Sequence, residues 1–363
     1  MKTFNQLGVS DTLVEQLKTQ FITEPTPIQE IAIPMIVNKE DFVAEAATGS
    51  GKTLAFLLPI LDQIQTYKNI QCLVVSPTRE LAMQITSVAQ ELRPDLKVLC
   101  VYGGQDISTQ LRKASNKVDI VIATPGRLMD HLKRGTIKLD TLNFLVFDEI
   151  DQLIEMGFQP DLDFILKYCP EKRQTLGFSA TISKSVKKQA YKMMASPTFI
   201  STKTETVIKK KINHHLIETT PRRKQSDLIK LLNEENPFLC IIFCRTRRRV
   251  DQLEVGLHQA GFSCMKFHGG MPQNKRQQTL KAFRGLSIQY LIATEVASRG
   301  LDISGVSHVI NYDMPESPES YVHRIGRTGR KDEYGKTYLF ANPEDESQLE
   351  IIKSALQLTF NQD

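Results

Sequence analysis

Short runs of bulky apolar residues alternate with longer amphipathic stretches along the whole chain. In the first half the runs are Asp41–Ala44, Cys72–Ser76, Ile120–Ala123, Phe144–Phe147 and Thr175–Phe178, with a further strand expected just before Gly103. In the second half they are Asn213–Ile217, Cys240–Phe243, Ser263–Phe267, Tyr290–Ala293, His308–Ile310 and Thr337–Phe340. Runs of this length, apolar on both faces and separated by helical patterns such as the one opening at Glu80, predict buried parallel strands. The alternation predicts an α/β chain of doubly wound parallel sheets. The polar stretch Ser201–Thr206 has no periodicity and reads as a linker, so two units are expected, 1–203 and 204–363. The last helix is expected to end near Phe360.

Composition narrows the class. The chain has 363 residues, 41% hydrophobic and 24% charged, which is too apolar for a disordered chain. No run reaches the roughly 18–20 apolar residues of a membrane span, and the first residues lack the apolar core of a leader. The expectation is a cytoplasmic protein with no membrane contact. Six cysteines lie mostly in strand-like runs, where a free thiol acts as a small hydrophobe. The first unit carries 23 basic against 22 acidic side chains, a net of +1, and the second 23 against 19, a net of +4. The excess in the second unit gathers in Arg222-Arg223-Lys224, Arg245 to Arg249, and Arg324, Arg327 and Arg330, clusters that suit a polyanion.

The densest chemistry follows the first strand. Ala46-Ala47-Thr48-Gly49-Ser50-Gly51-Lys52-Thr53 sits between a strand and an apolar helix, the setting of a phosphate-binding loop. Gly49 and Gly51 let backbone N–H groups approach phosphate oxygens, and the helix N-terminus adds a positive dipole end. Lys52 reads as a surface lysine of this loop that reaches the β- and γ-phosphates, and the Thr53 hydroxyl as a Mg²⁺ ligand. Asp148-Glu149 follows another strand at its C-terminal end, where open α/β sheets bind ligands. Asp148 is expected to hold Mg²⁺, partly through water, and Glu149 to act as general base on the attacking water. These residues imply a nucleoside triphosphate with Mg²⁺, and the resemblance given next makes it ATP.

Together with these, Asp148-Glu149-Ile150-Asp151 resembles the signature of the DEAD-box RNA helicases of superfamily 2. The resemblance runs from Phe4 to Arg330 and the closing strand. It implies two RecA-like units in tandem, an ATP-binding unit and a C-terminal helicase unit. Pro25-Thr26-Pro27-Ile28-Gln29 resembles the adenine-reading Q motif, with Gln29 on the base edge and Phe4 stacking on it. Ser179-Ala180-Thr181 resembles motif III, whose hydroxyls are expected to bond Asp151 and couple nucleotide state to lobe closure. Arg299-Gly300-Leu301-Asp302 and His323-Arg324-Ile325-Gly326-Arg327-Thr328-Gly329-Arg330 resemble motifs V and VI. The family reading places Asp302 on the ribose, Arg327 and Arg330 on the γ-phosphate as arginine fingers, and His323 in coupling.

The same resemblance implies an RNA track. Pro77-Thr78-Arg79, Gly103-Gly104 and Thr124-Pro125-Gly126-Arg127 follow strand ends in the first unit. Arg245 with Thr246, His268-Gly269-Gly270-Met271 leading to Gln273 and Arg276, and Thr294 do so in the second. Few aromatics accompany them, which favours sugar–phosphate and 2′-OH contacts over base stacking. The partner is RNA, with protein partners for targeting and a monomeric chain. Four positions depart from the family pattern: Phe21 for Gly, Ala47 for Gln, Ile150 for Ala and Glu295 for Asp. The function implied is RNA-stimulated ATP hydrolysis that closes and opens two lobes to separate RNA duplexes. A nucleotide-gated RNA clamp with little turnover and a DNA translocase are the alternatives.

Overall fold

The computed structural model describes residues 2–47, 49–66, 69–104, 117–202, 212–298, 305–329 and 334–362. It divides into two compact units, Met1–Lys203 and Thr204–Asp363. The strands of the first are β1 (Phe42–Glu45), β2 (Cys72–Val75), β3 (Val98–Val101), β4 (Ile120–Ala123), β5 (Phe144–Phe147), β6 (Gln174–Ser179) and β7 (Thr198–Ser201). They form one parallel sheet in the order β3-β4-β2-β5-β6-β1-β7. The second unit has β8 (Ile212–Glu218), β9 (Cys240–Cys244), β10 (Cys264–Phe267), β11 (Tyr290–Thr294), β12 (His308–Asn311), β13 (Gly335–Ala341) and β14 (Asn361–Gln362). Their parallel order is β10-β11-β9-β12-β13-β8-β14. Counted from its own first strand, each sheet reads third, fourth, second, fifth, sixth, first, seventh.

The strands form because both faces of each sheet are covered. Along β2, Cys72 and Val74 enter one core while Leu73 and Val75 enter the other. Phe42 and Ala44 of β1, and Leu176 and Phe178 of β6, share the first of these cores, and Val43 faces the second. In the second unit Cys240, Ile242 and Cys244 of β9 face one side and Ile241 and Phe243 the other. All six cysteines are free, four of them buried. Among the described residues no helix is long and apolar enough to cross a membrane.

Two edge strands depart from the sequence reading. β7 begins before the expected linker and includes Ser201; two of its four residues are exposed and polar, so it lacks the pattern of a buried strand. The last helix, Glu346–Leu356, stops short of Phe360, because Gln357 takes a left-handed conformation (φ 49°) and the chain goes on to pair β14 with β8.

Candidate nucleotide and RNA sites

The glycine loop joins β1 to the helix Lys52–Gln63. Gly49 and Gly51 have φ of 79° and 92°, which L side chains rarely adopt. Gly51 is also hemmed in, since a Cβ there would lie 2.5 Å from Gln29 Nε2. Lys52 is no surface residue. It opens the helix, is 7% exposed, and its Nζ donates to the Ala46 carbonyl at 3.1 Å. The loop folds back on its own lysine, so the ammonium already points along the loop rather than into solvent. Ser50 Oγ is buried with no hydrogen-bond partner, which is the condition of a loop shaped for a polar ligand. Thr53 is the second residue of the helix, Ala47 lies in the loop, and Thr48 lies outside the described residues.

Gln29 sits in the first turn of the helix Pro27–Val37 and is buried. Its Oε1 accepts from the Thr26 N–H at 2.9 Å, and its Nε2 donates to the Gly51 carbonyl at 3.0 Å. One lone pair and one N–H of the amide remain for a ligand. The motif is therefore clasped to the glycine loop itself. Phe4 behaves otherwise than expected: its ring is 2% exposed in the core with Leu7, Val9 and Leu13, and offers no open face to a base. Phe21 takes φ 59° at a position where glycine would carry no strain.

At the end of β5 the Asp148 N–H donates to the Val75 carbonyl at 2.9 Å, and the Asp148 Oδ1 accepts from the Glu149 N–H at 3.0 Å. Burial pushes the Asp148 carboxyl up to about 7; Lys52 opposes this, and the neighbouring Glu149 adds to it. A buried acid with too little positive charge nearby is suited to a cation. Glu149 is in a left-handed conformation (φ 53°, ψ 55°), a strained geometry for this residue type. Its Oε2 is buried without a partner. Asp151 Oδ2 accepts from Ala180 N at 3.1 Å, Thr181 N at 2.9 Å and Thr181 Oγ1 at 3.1 Å. The Ser179 hydroxyl does not join them. It donates to the Thr181 carbonyl at 2.7 Å and shapes the turn, while the Ser179 carbonyl accepts from Ala46 N at 3.0 Å. Glycine loop, β6 end and acidic turn are thus linked by consecutive hydrogen bonds.

The expected RNA segments of the first unit gather at neighbouring strand ends. Ser76 N donates to the Ala123 carbonyl and Thr124 N to the Val101 carbonyl, each at 2.9 Å. Pro77 leads into the helix Arg79–Leu92, which Thr78 caps by accepting from Leu81 N at 3.3 Å. The Arg79 guanidinium lies over the glycine doublet, where a Cβ on Gly104 would be 2.5 Å from its Nη1. Thr124 precedes the helix Pro125–Lys133, which carries Gly126 and Arg127; beside Gly126 there is open space. In the second unit Thr246 caps the helix Arg247–Gln259 in the same way, and the Arg247 guanidinium lies 3.6 Å from where a Gly269 Cβ would be. Arg247 was not among the expected contacts. Its signal was a repeated pattern, a Thr-Arg helix start followed by a Gly-Gly doublet, present in both halves of the chain.

Arg245 is exposed beyond β9, with its N–H on Asp313 Oδ2 at 2.9 Å. Thr294 ends β11 and is buried. The Glu295 carboxylate accepts from Arg324 Nε at 2.9 Å and Ser320 Oγ at 2.8 Å. His323 is on the helix Pro318–Ile325 and Arg327 follows it. Asp302 and Arg330 lie outside the described residues.

Two family models cover this ground. Residues 26–189 match the DEAD/DEAH box helicase model and residues 223–332 the helicase conserved C-terminal domain. The DEAD-box ATP-dependent RNA helicase CshA of Bacillus cereus is 42% identical over 356 residues, 97% of this chain and 68% of that protein. The CshA of Bacillus subtilis is 41% identical over 354 residues, 97% and 72%. Among solved structures, Saccharomyces cerevisiae Dbp5 bound to RNA and ADP BeF3 is similar with a TM-score of 0.88 at 26% identity, covering 100% of this chain and 96% of that one. Mss116 bound to single-stranded RNA and UDP-BeF gives 0.89 at 27%, covering 100% and 80%. By the family models and the identity to these relatives over nearly its whole length, the chain belongs to the DEAD-box family of ATP-dependent RNA helicases.

Proposed function

We propose that the first unit binds ATP at the glycine loop and hydrolyses it with Glu149 as general base, in a reaction stimulated by RNA held through its sugar–phosphate backbone. The observation that carries this reading is Glu149 itself. A carboxylate in a strained backbone conformation, with one buried oxygen unpartnered, stands beside a phosphate-type loop. Thr48, Gly49, Ser50 and Gly51 present backbone N–H groups to the phosphates and Lys52 its ammonium. Thr53 and Asp148 would hold Mg²⁺, which would supply charge neutralisation at the phosphates. Arg327 and Arg330 add positive charge at the γ-phosphate, Asp302 holds the ribose, and Asp151, Thr181 and His323 relay nucleotide state. ATP and RNA favour the same closed state, so each strengthens binding of the other. The RNA contacts are Pro77, Thr78, Arg79, Gly104, Thr124, Pro125, Gly126 and Arg127 in the first unit, and Arg245, Gly269 and Thr294 in the second. Apart from the two prolines, which shape the turns, they offer backbone N–H groups, hydroxyls and guanidinium groups, which position a strand without reading its sequence. We place the chain in the cytoplasm as a monomer that relies on protein partners for targeting.

Phosphate release measured with and without single-stranded RNA tests the reading. Turnover is expected to rise at least about tenfold with RNA and much less with DNA of the same sequence. Tight nucleotide-dependent RNA binding without stimulated turnover would support the clamp alternative, and equal stimulation by DNA a translocase.

Gln29→Ala removes both the remaining adenine contacts and the clasp on Gly51. KM for ATP is expected to rise about tenfold, equivalent to ~1.4 kcal/mol, and thermal unfolding to shift downward, because the Thr26 N–H and the Gly51 carbonyl lose their partner. Adenine reading is refuted if the unmodified enzyme hydrolyses GTP as fast as ATP.

A further inference from the structure

Gly177 lies in β6, between Val43 of β1 and Phe147 of β5. Glycine weakens a central strand, because it adds no packing and loses the most backbone entropy. Its φ is outside the left-handed region, so the backbone does not require glycine. The space does. A Cβ on Gly177 would lie 2.5 Å from Ile150 Cδ1 and 3.1 Å from Val43 Cγ2. Ile150 is wholly buried in the core that also holds Val43, Phe147 and Leu153, so its tip can move only by displacing packed side chains. Interiors packed at crystal-like density resist even one added methyl.

Ile150 joins Glu149 to Asp151. Asp151 is fixed to the residues following β6 by three hydrogen bonds, from Ala180 N, Thr181 N and Thr181 Oγ1. The acidic turn is therefore seated on β6 at two points, one polar at Asp151 and one apolar at Gly177. We propose that Gly177 is a positioning residue for Glu149: by lacking a Cβ it lets Ile150 seat on the strand, and that seat sets where the Glu149 carboxylate stands. The inference rests on Glu149 being the general base. An added methyl at 177 lifts Ile150 and turns the adjoining left-handed Glu149 away from the attacking water. The glycine loop meets the end of β6 through the backbone bond from Ala46 N to the Ser179 carbonyl, whereas the atoms nearest the added methyl are side-chain carbons of Ile150 and Val43.

Moving a single methyl tests this. Ile150→Val removes the atom that a Gly177→Ala methyl would strike, so the double variant has the same carbon count as the parent. RNA-stimulated kcat, KM for ATP and thermal unfolding are measured for the parent, both single variants and the pair. Gly177→Ala is expected to lower kcat at least about tenfold, with KM for ATP within about twofold, since small misplacements of a base cost rate rather than binding. Ile150→Val is expected to keep kcat within about twofold and unfold at slightly lower temperature. The pair should return kcat to within about threefold of Ile150→Val, a strongly non-additive cycle. A folded Gly177→Ala with kcat within threefold of the parent overturns the proposal, as does a double variant as slow as Gly177→Ala. If Gly177→Ala alone does not fold, a folded and active double variant supports the pair and an unfolded one overturns it. Glu149→Gln is run beside them. Wild-type turnover in that variant overturns the base assignment whatever the cycle gives, whereas an inactive Glu149→Gln with an additive cycle overturns only the role of Gly177.

Discussion

Lys52→Ala is expected to lower RNA-stimulated phosphate release at least about a hundredfold, the scale of removing one preorganised charge from a phosphoryl-transfer site. The structure adds a second effect. Lys52 is buried and its Nζ bonds the Ala46 carbonyl, so the variant also loses a contact that holds the glycine loop closed on itself. A hydrogen bond from a charged donor contributes about 1.5–3 kcal/mol, less whatever water recovers once the alanine opens the loop. Thermal unfolding should therefore shift downward measurably while circular dichroism remains that of a folded protein. Turnover by the folded variant within threefold of the parent would overturn the phosphate-loop assignment.

Glu149→Gln is expected to reduce hydrolysis by about 10²–10⁴-fold, the range attributed to a positioned general base. Binding should survive, because the amide keeps the shape of the carboxylate and the hydrogen bond to the Asp148 carboxylate comes from the Glu149 backbone N–H, which the substitution leaves in place. The variant should accumulate bound to ATP and RNA together, and a filter-binding assay with a slowly exchanging RNA complex in the presence of ATP would register it. Loss of RNA affinity on adding ATP would mean that Glu149 serves assembly of the site instead. Losing a charge beside the raised Asp148 also relieves mutual repulsion of the two carboxyls, so a small gain in stability should accompany the loss of rate.

The central strands were legible because each is buried on both faces and so is largely apolar; β2, with all four residues buried, is one such case. The edge strands β7 and β14 were not. β7 mixes exposed and half-buried positions, and β14 is two residues long, too short to carry a pattern. The glycine loop and the acidic turn were legible because their residue types are dictated by phosphate and water chemistry at short spacing. What their side chains touch was not. The burial of Lys52 depends on where the loop returns relative to β1. The ring of Phe4 could have faced a ligand or the core, and only the packing of the N-terminal turn decides for the core. Ser179 and Thr181 carry the same hydroxyl chemistry, yet the turn aims one at a carbonyl and the other at Asp151. Gly177 looked like any strand glycine until the register of β6 set it under Ile150.

The common strand order of the two sheets lets the units be read as two copies of one plan, position against position, so that residues of the second can be set beside those of the nucleotide site. Lys224 opens the helix after β8, as Lys52 opens the helix after β1. Asp313 follows β12, the fifth strand of its sheet, and its N–H donates to the Phe243 carbonyl of the second strand, as that of Asp148 does to Val75. In the first copy the lysine leaves the aspartate raised and in want of charge. In the second the two have closed on each other at 3.0 Å, with side chains 3% and 9% exposed, and Arg249 has joined them at 3.3 Å. Burial pushes the Asp313 carboxyl up, but Lys224, the Arg245 N–H and Arg249 outweigh it and hold it below its ordinary value. The second unit thus meets by itself the electrostatic need that the first leaves open to a ligand, with a buried ion pair at the corresponding positions.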